Sequence, residues 1–90
     1  MTSKKIKAAM VIYRQFFEQQ GIGKIDYPKD QLLPSPATGL SHCHGMLDKM
    51  EEFLKQGRKE KAMRWLCFIQ SCLWSNGYFT IGQFADHNRS

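Results

Sequence analysis

The sequence predicts an all-α fold: a small helical bundle with a central helical hairpin, a long ordered loop and a short C-terminal helix. Three observations carry this prediction. Apolar residues recur at three- and four-residue steps along three stretches of the chain. Gly21, Gly57 and Gly77 follow those stretches, where a left-handed C-terminal cap commonly ends a helix. The β-branched alternation of strands is missing, and valine occurs once, at Val11.

Helix one is expected over residues 3–20, with Ile6, Ala9, Met10, Tyr13, Phe16 and Phe17 on one face and Lys5, Arg14 and Glu18 away from it. Residues 21–37 combine glycines, prolines and aspartates and form an irregular connection, longer than the usual few residues between packed helices. Ile22, Ile25, Tyr27, Leu32 and Leu33 within it are expected to pack back on the helices, which makes the loop ordered. Helix two is expected over 38–56, with Leu40, Cys43, Leu47, Met50 and Leu54 in register, and helix three over 58–76. Gly57 leaves only a tight turn between these two, so they pair as a hairpin. Thr80-Ile81-Gly82-Gln83 matches a capping box and starts a short helix over 81–87.

Helix three poses a problem. Between Arg64 and Trp74 only Arg64, Gln70 and Ser71 are plainly polar, whereas a surface helix buries a stripe of roughly 100° and leaves the rest polar. One solution puts it at the centre, covered by helix one, helix two and the loop or last helix. The other leaves Phe68 and Trp74 facing a second copy of the chain or a ligand.

The 90 residues suffice for one domain, small enough that an oligomer or a ligand would add useful burial. Cys43, Cys67 and Cys72 are odd in number and form no C-x-x-C pair, which suits a reducing compartment with thiols acting as small hydrophobes. No secretory leader and no membrane span is expected, since the longest apolar run ends well short of the roughly 18 residues a span requires. The formal net charge of +5 favours an anionic partner, although the basic residues are scattered.

Catalytic and metal chemistry find little footing. His42 and His44 flank Cys43, yet two positions on a helix are roughly 200° apart, so they cannot chelate one ion together. Cys67 and Cys72 sit among apolar neighbours that hold a thiol inert. No phosphate loop, nucleophile elbow, deaminase signature or cofactor motif is present, which points to a protein that is not an enzyme and carries no cofactor or metal. What remains is a set suited to a nucleotide or another planar anion: Arg64, Trp65, Gln70 and Trp74 on helix three, with Tyr13, His42, His44, Tyr78, His87, Asn88 and Arg89 from other segments. The same residues have simpler uses, such as pairing of Arg64 with Glu60 or burial of Tyr13 and the tryptophans. A recognition helix for duplex DNA would be more polar than helix three, and no basic groove for single strands is evident.

The run "GRKEKAMRWLCFIQSCLWSNGYFTIGQFADHNRS" (57–90), preceded by "LSHCHGMLDKMEEFL" (40–54), resembles the helical hairpin domain shared by small tailed-phage proteins, the anti-CBASS and anti-Thoeris sponges. The family pattern G-R-x-x-K-A-x-R-W-L-x-F-I-Q-x-x-L-W-x-x-G, followed by a T-I segment, is matched by Gly57, Arg58, Lys61, Ala62, Arg64, Trp65, Leu66, Phe68, Ile69, Gln70, Leu73, Trp74, Gly77, Thr80 and Ile81. Residues 1–36 add nothing to it. The resemblance implies capture without catalysis: sequestration of cyclic-nucleotide or cyclised ADP-ribose defence signals in the cytoplasm of an infected bacterium, by a homo-oligomer built from dimers with pockets where chains meet. Other readings of the same residues are a protein that binds and inhibits a host protein and, third, a nucleic-acid-binding protein.

Overall fold

The computed structural model describes residues 1–89. Four helices make up the fold, α1 (Ser3–Gln19), α2 (Pro36–Lys55), α3 (Lys59–Ser75) and α4 (Ile81–Arg89), and no strand occurs among the described residues. Thr2 caps α1 by accepting a hydrogen bond from the Lys5 amide at 3.2 Å. α2 starts two residues earlier than expected. Ser35 is its cap, accepting from the Thr38 amide, and Pro36 is its first residue, where a missing N–H costs nothing and the fixed φ favours the helix. The capping box at α4 forms in full: Gln83 Oε1 accepts from the Thr80 amide at 2.8 Å and Thr80 Oγ1 from the Gln83 amide at 3.1 Å.

The helix that packs broadly on all three others is α1, whereas α3 packs on α2 and α1 and reaches α4 mainly through the Gln70–Asn88 hydrogen bond. Ile6, Ala9, Met10, Tyr13 and Phe17 point from α1 into a core completed by Leu40, Cys43, Leu47 and Met50 of α2, Ala62, Leu66, Ile69 and Leu73 of α3, and Phe84 of α4. Burying one such large apolar side chain stabilises by about 1.5–3 kcal/mol. The partly exposed ion pairs of Arg14 with Asp48 and Glu51, both at 2.7 Å, contribute at most about 1 kcal/mol each. The apolar core therefore holds α1 on α2, and Arg14 fixes the register. Its hydrogen bond holds the Asp48 carboxyl below the usual carboxylate range.

Expected at the centre, α3 instead buries one side only. Successive 100° steps place Ala62, Leu66, Ile69, Gln70 and Leu73 against the other helices and leave an exposed arc from Phe68 through Arg64 and Ser71 to Cys67 and Trp74. Phe68 and Trp74 are 57% and 54% exposed. The reason is geometric: the loop is bonded to α2 and faces Trp65, Phe68 and Cys72 of α3 only across a cavity, and α4 packs mainly on α1.

The connection between α1 and α2 is a strap laid along α2. Ile25 donates its amide to the Ser41 carbonyl at 3.2 Å, Tyr27 donates its amide to His42 Nδ1 at 3.1 Å, and His44 Nδ1 donates to the Ile22 carbonyl at 2.7 Å. Lys24 pairs with Asp48, and Lys49 with Asp26. Ile22 and Tyr27 are half-buried as expected, but Ile25, Leu32 and Leu33 are exposed, Leu32 to 95%, because the strap is fastened to α2 mainly by backbone and polar hydrogen bonds and leaves these apolar side chains at the surface. Gly45 makes the crossing possible. A Cβ there would run into the Ile25 carbonyl, whereas a Cβ on Gly39 would meet only the flexible end of Leu33 at 3.1 Å.

These two glycines give a paired prediction. Gly39→Ala should be neutral or stabilise by up to about 1 kcal/mol through helix propensity. Gly45→Ala should lose about 1–3 kcal/mol as the strap is pushed off α2. Denaturant titration of both variants is the check, and equal stabilisation by the two would mean that the strap does not bear on Gly45.

Candidate functional site

Strap and hairpin together enclose a groove of about 620 Å³. Asp26, Tyr27, Pro28, Lys29, Gln31 and Leu33 line it from the loop, Gly39, His42 and Lys49 from α2, and Trp65, Phe68 and Cys72 from α3. A pocket of about 190 Å³ continues from it past Lys24, Ile25, Gly45 and Met46, sharing Asp26, His42, Lys49 and Trp65. Volumes of about 300–1,000 Å³ are those of small-molecule and cofactor sites.

Each lining side chain is placed by the local fold. Trp65 stands edge-on to Phe53 at 4.8 Å, with the Lys61 ammonium over both rings. That contact fixes one side of the indole. Tyr27 is held by its amide bond to His42 and by its hydroxyl, which donates to the Leu32 carbonyl at 2.7 Å. Because His42 Nδ1 accepts the Tyr27 amide, the neutral ring carries its hydrogen on Nε2, where it is a donor. Lys49 already pairs with Asp26 at 3.0 Å, while Lys29 makes no ion pair with a described residue. The groove thus offers aromatic faces, one uncommitted ammonium and a ring N–H. This set suits a planar ligand carrying negative charge.

His44 points the other way, as the helical spacing requires. It is buried and stacked on Phe17 at 5.1 Å, with Nδ1 bonded to Ile22 and Nε2 without a hydrogen-bond partner. It fastens the strap and takes no part in the groove. Among the described residues no group of three or more His, Cys, Asp or Glu is placed to hold a metal ion.

Four other predicted residues meet somewhere else. Gln70 Nε2 donates to Tyr13 Oη at 3.0 Å and to Asn88 Oδ1 at 2.7 Å, and Tyr13 Oη lies 2.9 Å from His87 Nδ1. With Gln70 donating into its oxygen, Tyr13 is left to donate to His87. The cluster is enclosed by Phe79 and Phe84, whose rings lie 5.9 and 6.3 Å from that of Tyr13. It is a latch that ties α4 to α1 and α3. Burial pushes the Tyr13 hydroxyl up to about 12, against the Gln70 hydrogen bond, and burial holds the His87 ring below its ordinary value of 6.5, opposed by Asp86.

The remaining predicted residues stay apart. Arg64 is exposed, pairs with neither Glu60 nor any other described residue, and stands one turn before Phe68 at the groove's rim. Trp74 and Tyr78 flank a shallow concavity with Ile81 at the start of α4, and Arg89 pairs with Asp86. Sequence reasoning left out Tyr27, Lys29 and Lys49, although the apolar residues inside so polar a loop were the signal that it is fastened down. No protein-family model, no curated protein and no solved structure matches the chain.

The latch carries a pH prediction. A histidine whose folded value is depressed binds more protons when unfolded, so its contribution is complete above pH 6.5 and is lost as the pH falls below it. Amide-exchange protection factors of residues 81–89, referred to the intrinsic rate at each pH, should therefore fall below pH 6.5 while those of the α1 and α2 core stay unchanged. His87→Gln should flatten that dependence, and an unchanged acid response in this variant would place the titrating group elsewhere.

Proposed function

We propose that this chain is a non-catalytic binding protein that captures a planar anionic signal of the cyclic-nucleotide class in the groove between the strap and the α2–α3 hairpin. The observation that carries the reading is the juxtaposition of Trp65, Phe68 and Tyr27 with Lys29 and the Nε2–H of His42 around one cavity of nucleotide size. Bases stack on aromatic faces, and phosphates take charge-assisted hydrogen bonds from lysine and histidine. Capture requires only that the complex be tight, so a site without a nucleophile–base pair is sufficient. The hairpin pattern gives the biological setting we infer: a phage counter-defence protein that withdraws a defence signal in the cytoplasm of the infected bacterium.

Self-association belongs to the same proposal. Phe68 stands at the groove's edge and Trp74 at the opposite edge of the exposed α3 face, so a second copy seated on that face would lie beside the open side of the groove. A host protein on the same face is the competing reading, supported by the exposure of Trp74 and Ile81 at 54% and 68%.

Native mass spectrometry of the untagged chain with cyclic di- and trinucleotides and cyclised ADP-ribose tests the reading. We expect an even-numbered oligomer that gains the mass of one panel member and a rise in Tm with that ligand. Phe68→Ala and Lys29→Ala should each weaken binding about tenfold, since each removes about 1–2 kcal/mol of stacking or charge-assisted bonding. Trp74→Ala should leave ligand affinity per chain unchanged. No mass gain with any panel member would overturn the capture reading.

A further inference from the structure

The basic residues that look scattered in the sequence are gathered by the fold on one end of the bundle, where α2 turns into α3. α1 runs antiparallel to α2: Phe17 stacks on His44, Arg14 bonds to Asp48 and Glu51, and Lys7 shares the wall of one cavity with Lys55. Lys4 and Lys5 precede Lys7 by up to one helical turn, which brings them level with Gly57, and α3 begins directly after that glycine. Lys4, Lys5 and Lys7 therefore stand on the same end as Lys55, Arg58, Lys59 and Lys61. Seven of the chain's 13 lysines and arginines meet there with three of its 8 acidic residues, Glu51, Glu52 and Glu60. Six cations and five carboxylates are left for the rest of the chain, so nearly all of the net charge of +5 sits on this end.

The charge is also uncompensated locally. Arg14 holds Glu51 and Lys55 faces Glu52, whereas Lys4, Lys5, Lys7, Arg58, Lys59 and Lys61 make no ion pair with a described residue. Arg58 and Lys61 are oriented by the Phe53 ring, at 5.2 and 4.6 Å from its centre. α1 has no acidic residue in its first turn, and lysines there oppose the helix dipole as well as one another. A polyanion seated on this end removes that repulsion.

We propose that the lysine-rich end of the bundle docks on the phosphate backbone of a nucleic-acid duplex without reading its sequence, independently of what the groove holds. A surface that enters a membrane interleaves exposed apolar side chains with its cations. Here the strongly exposed large apolar residues of α1 begin only at Val11, two turns beyond Lys4. Binding of single strands relies on open aromatic faces. The aromatic residues nearest this end, Phe53 and Trp65, are spent on each other and on Lys61. A duplex backbone asks for neither. It presents one phosphate charge per roughly 1.7 Å of its axis, so several of these cations find a phosphate at once.

Fluorescence anisotropy of the full chain with labelled duplexes of about 20 base pairs and arbitrary sequence, one DNA and one RNA, tests this. Both should bind at about 50 mM KCl with comparable affinity, unchanged when the sequence is scrambled, and log Kd should rise with log salt with a slope of about 4. Lys4→Gln/Lys59→Gln should weaken binding about tenfold or more and lower the slope by about 2. Lys24→Gln/Arg89→Gln removes the same charge from elsewhere and should leave the slope unchanged. All four positions are exposed, and helical circular dichroism confirms that each variant is folded. Failure of both duplexes to bind, or equal losses in the two double variants, would overturn the proposal. So would phosphatidylserine vesicles bound in place of the duplexes, or a single strand bound more tightly than either.

Discussion

The crossing of the strap over α2 at Gly45 is the constraint on which the rest of the structure depends. Without a side chain at that position the Ile25 backbone comes down onto the helix, and only then do the Ser41 carbonyl, the His42 ring and the His44 ring reach their partners. The loop becomes a wall, and a hairpin that would otherwise present a bare surface acquires a groove. Two histidines two positions apart divide the work: His44 turns inward, stacks on Phe17 and holds the strap, while His42 turns outward, orients Tyr27 and faces the cavity.

This arrangement also resolves the composition of α3. A helix with so few polar residues invites a central position, yet the 3.6-residue repeat spreads its apolar groups over three surroundings. Leu66, Ile69 and Leu73 meet the core, Trp65 and Phe68 meet the groove, and Trp74 stands by the start of α4. The first set stabilises the fold outright, and Trp65 adds to it by packing on Phe53. Phe68 and Trp74 are aromatic surface that a lone 90-residue chain leaves uncovered, and such surface on a small protein generally serves binding. The centre of the bundle passes to α1, whose apolar stripe is broad enough to serve all three remaining helices.

Much of the fold was legible because it rests on local signals. The helical periodicities, the glycines after α1, α2 and α3, and the Thr80–Gln83 capping box each report through residues close in sequence. Pro36 was misread because proline marks both loops and first helical turns, and only the Ser35 cap distinguishes the two. The site was harder, since its parts come from three segments and the sequence does not say which residue faces which. Gln70, Tyr13, His87 and Asn88 are the kinds of residue that bind nucleotides, yet their hydrogen bonds are spent on docking α4. Tyr27 and Lys29 carry no motif and enter the groove only because the strap is fastened elsewhere.

Capture of a cyclic nucleotide in the proposed groove is tested most directly by mapping the site at residue resolution. Amide and indole NMR shifts of the isotope-labelled chain should be followed while each panel member is titrated in. Shifts confined to Tyr27–Gln31, the His42–Lys49 stretch and the Trp65 indole, with Trp74 and Ile81 no more affected than any added self-association requires, are the predicted result. Shifts that cluster at Trp74, Tyr78 and Ile81 and leave Tyr27 and Trp65 unmoved, or that appear with no ligand of this class, would contradict it.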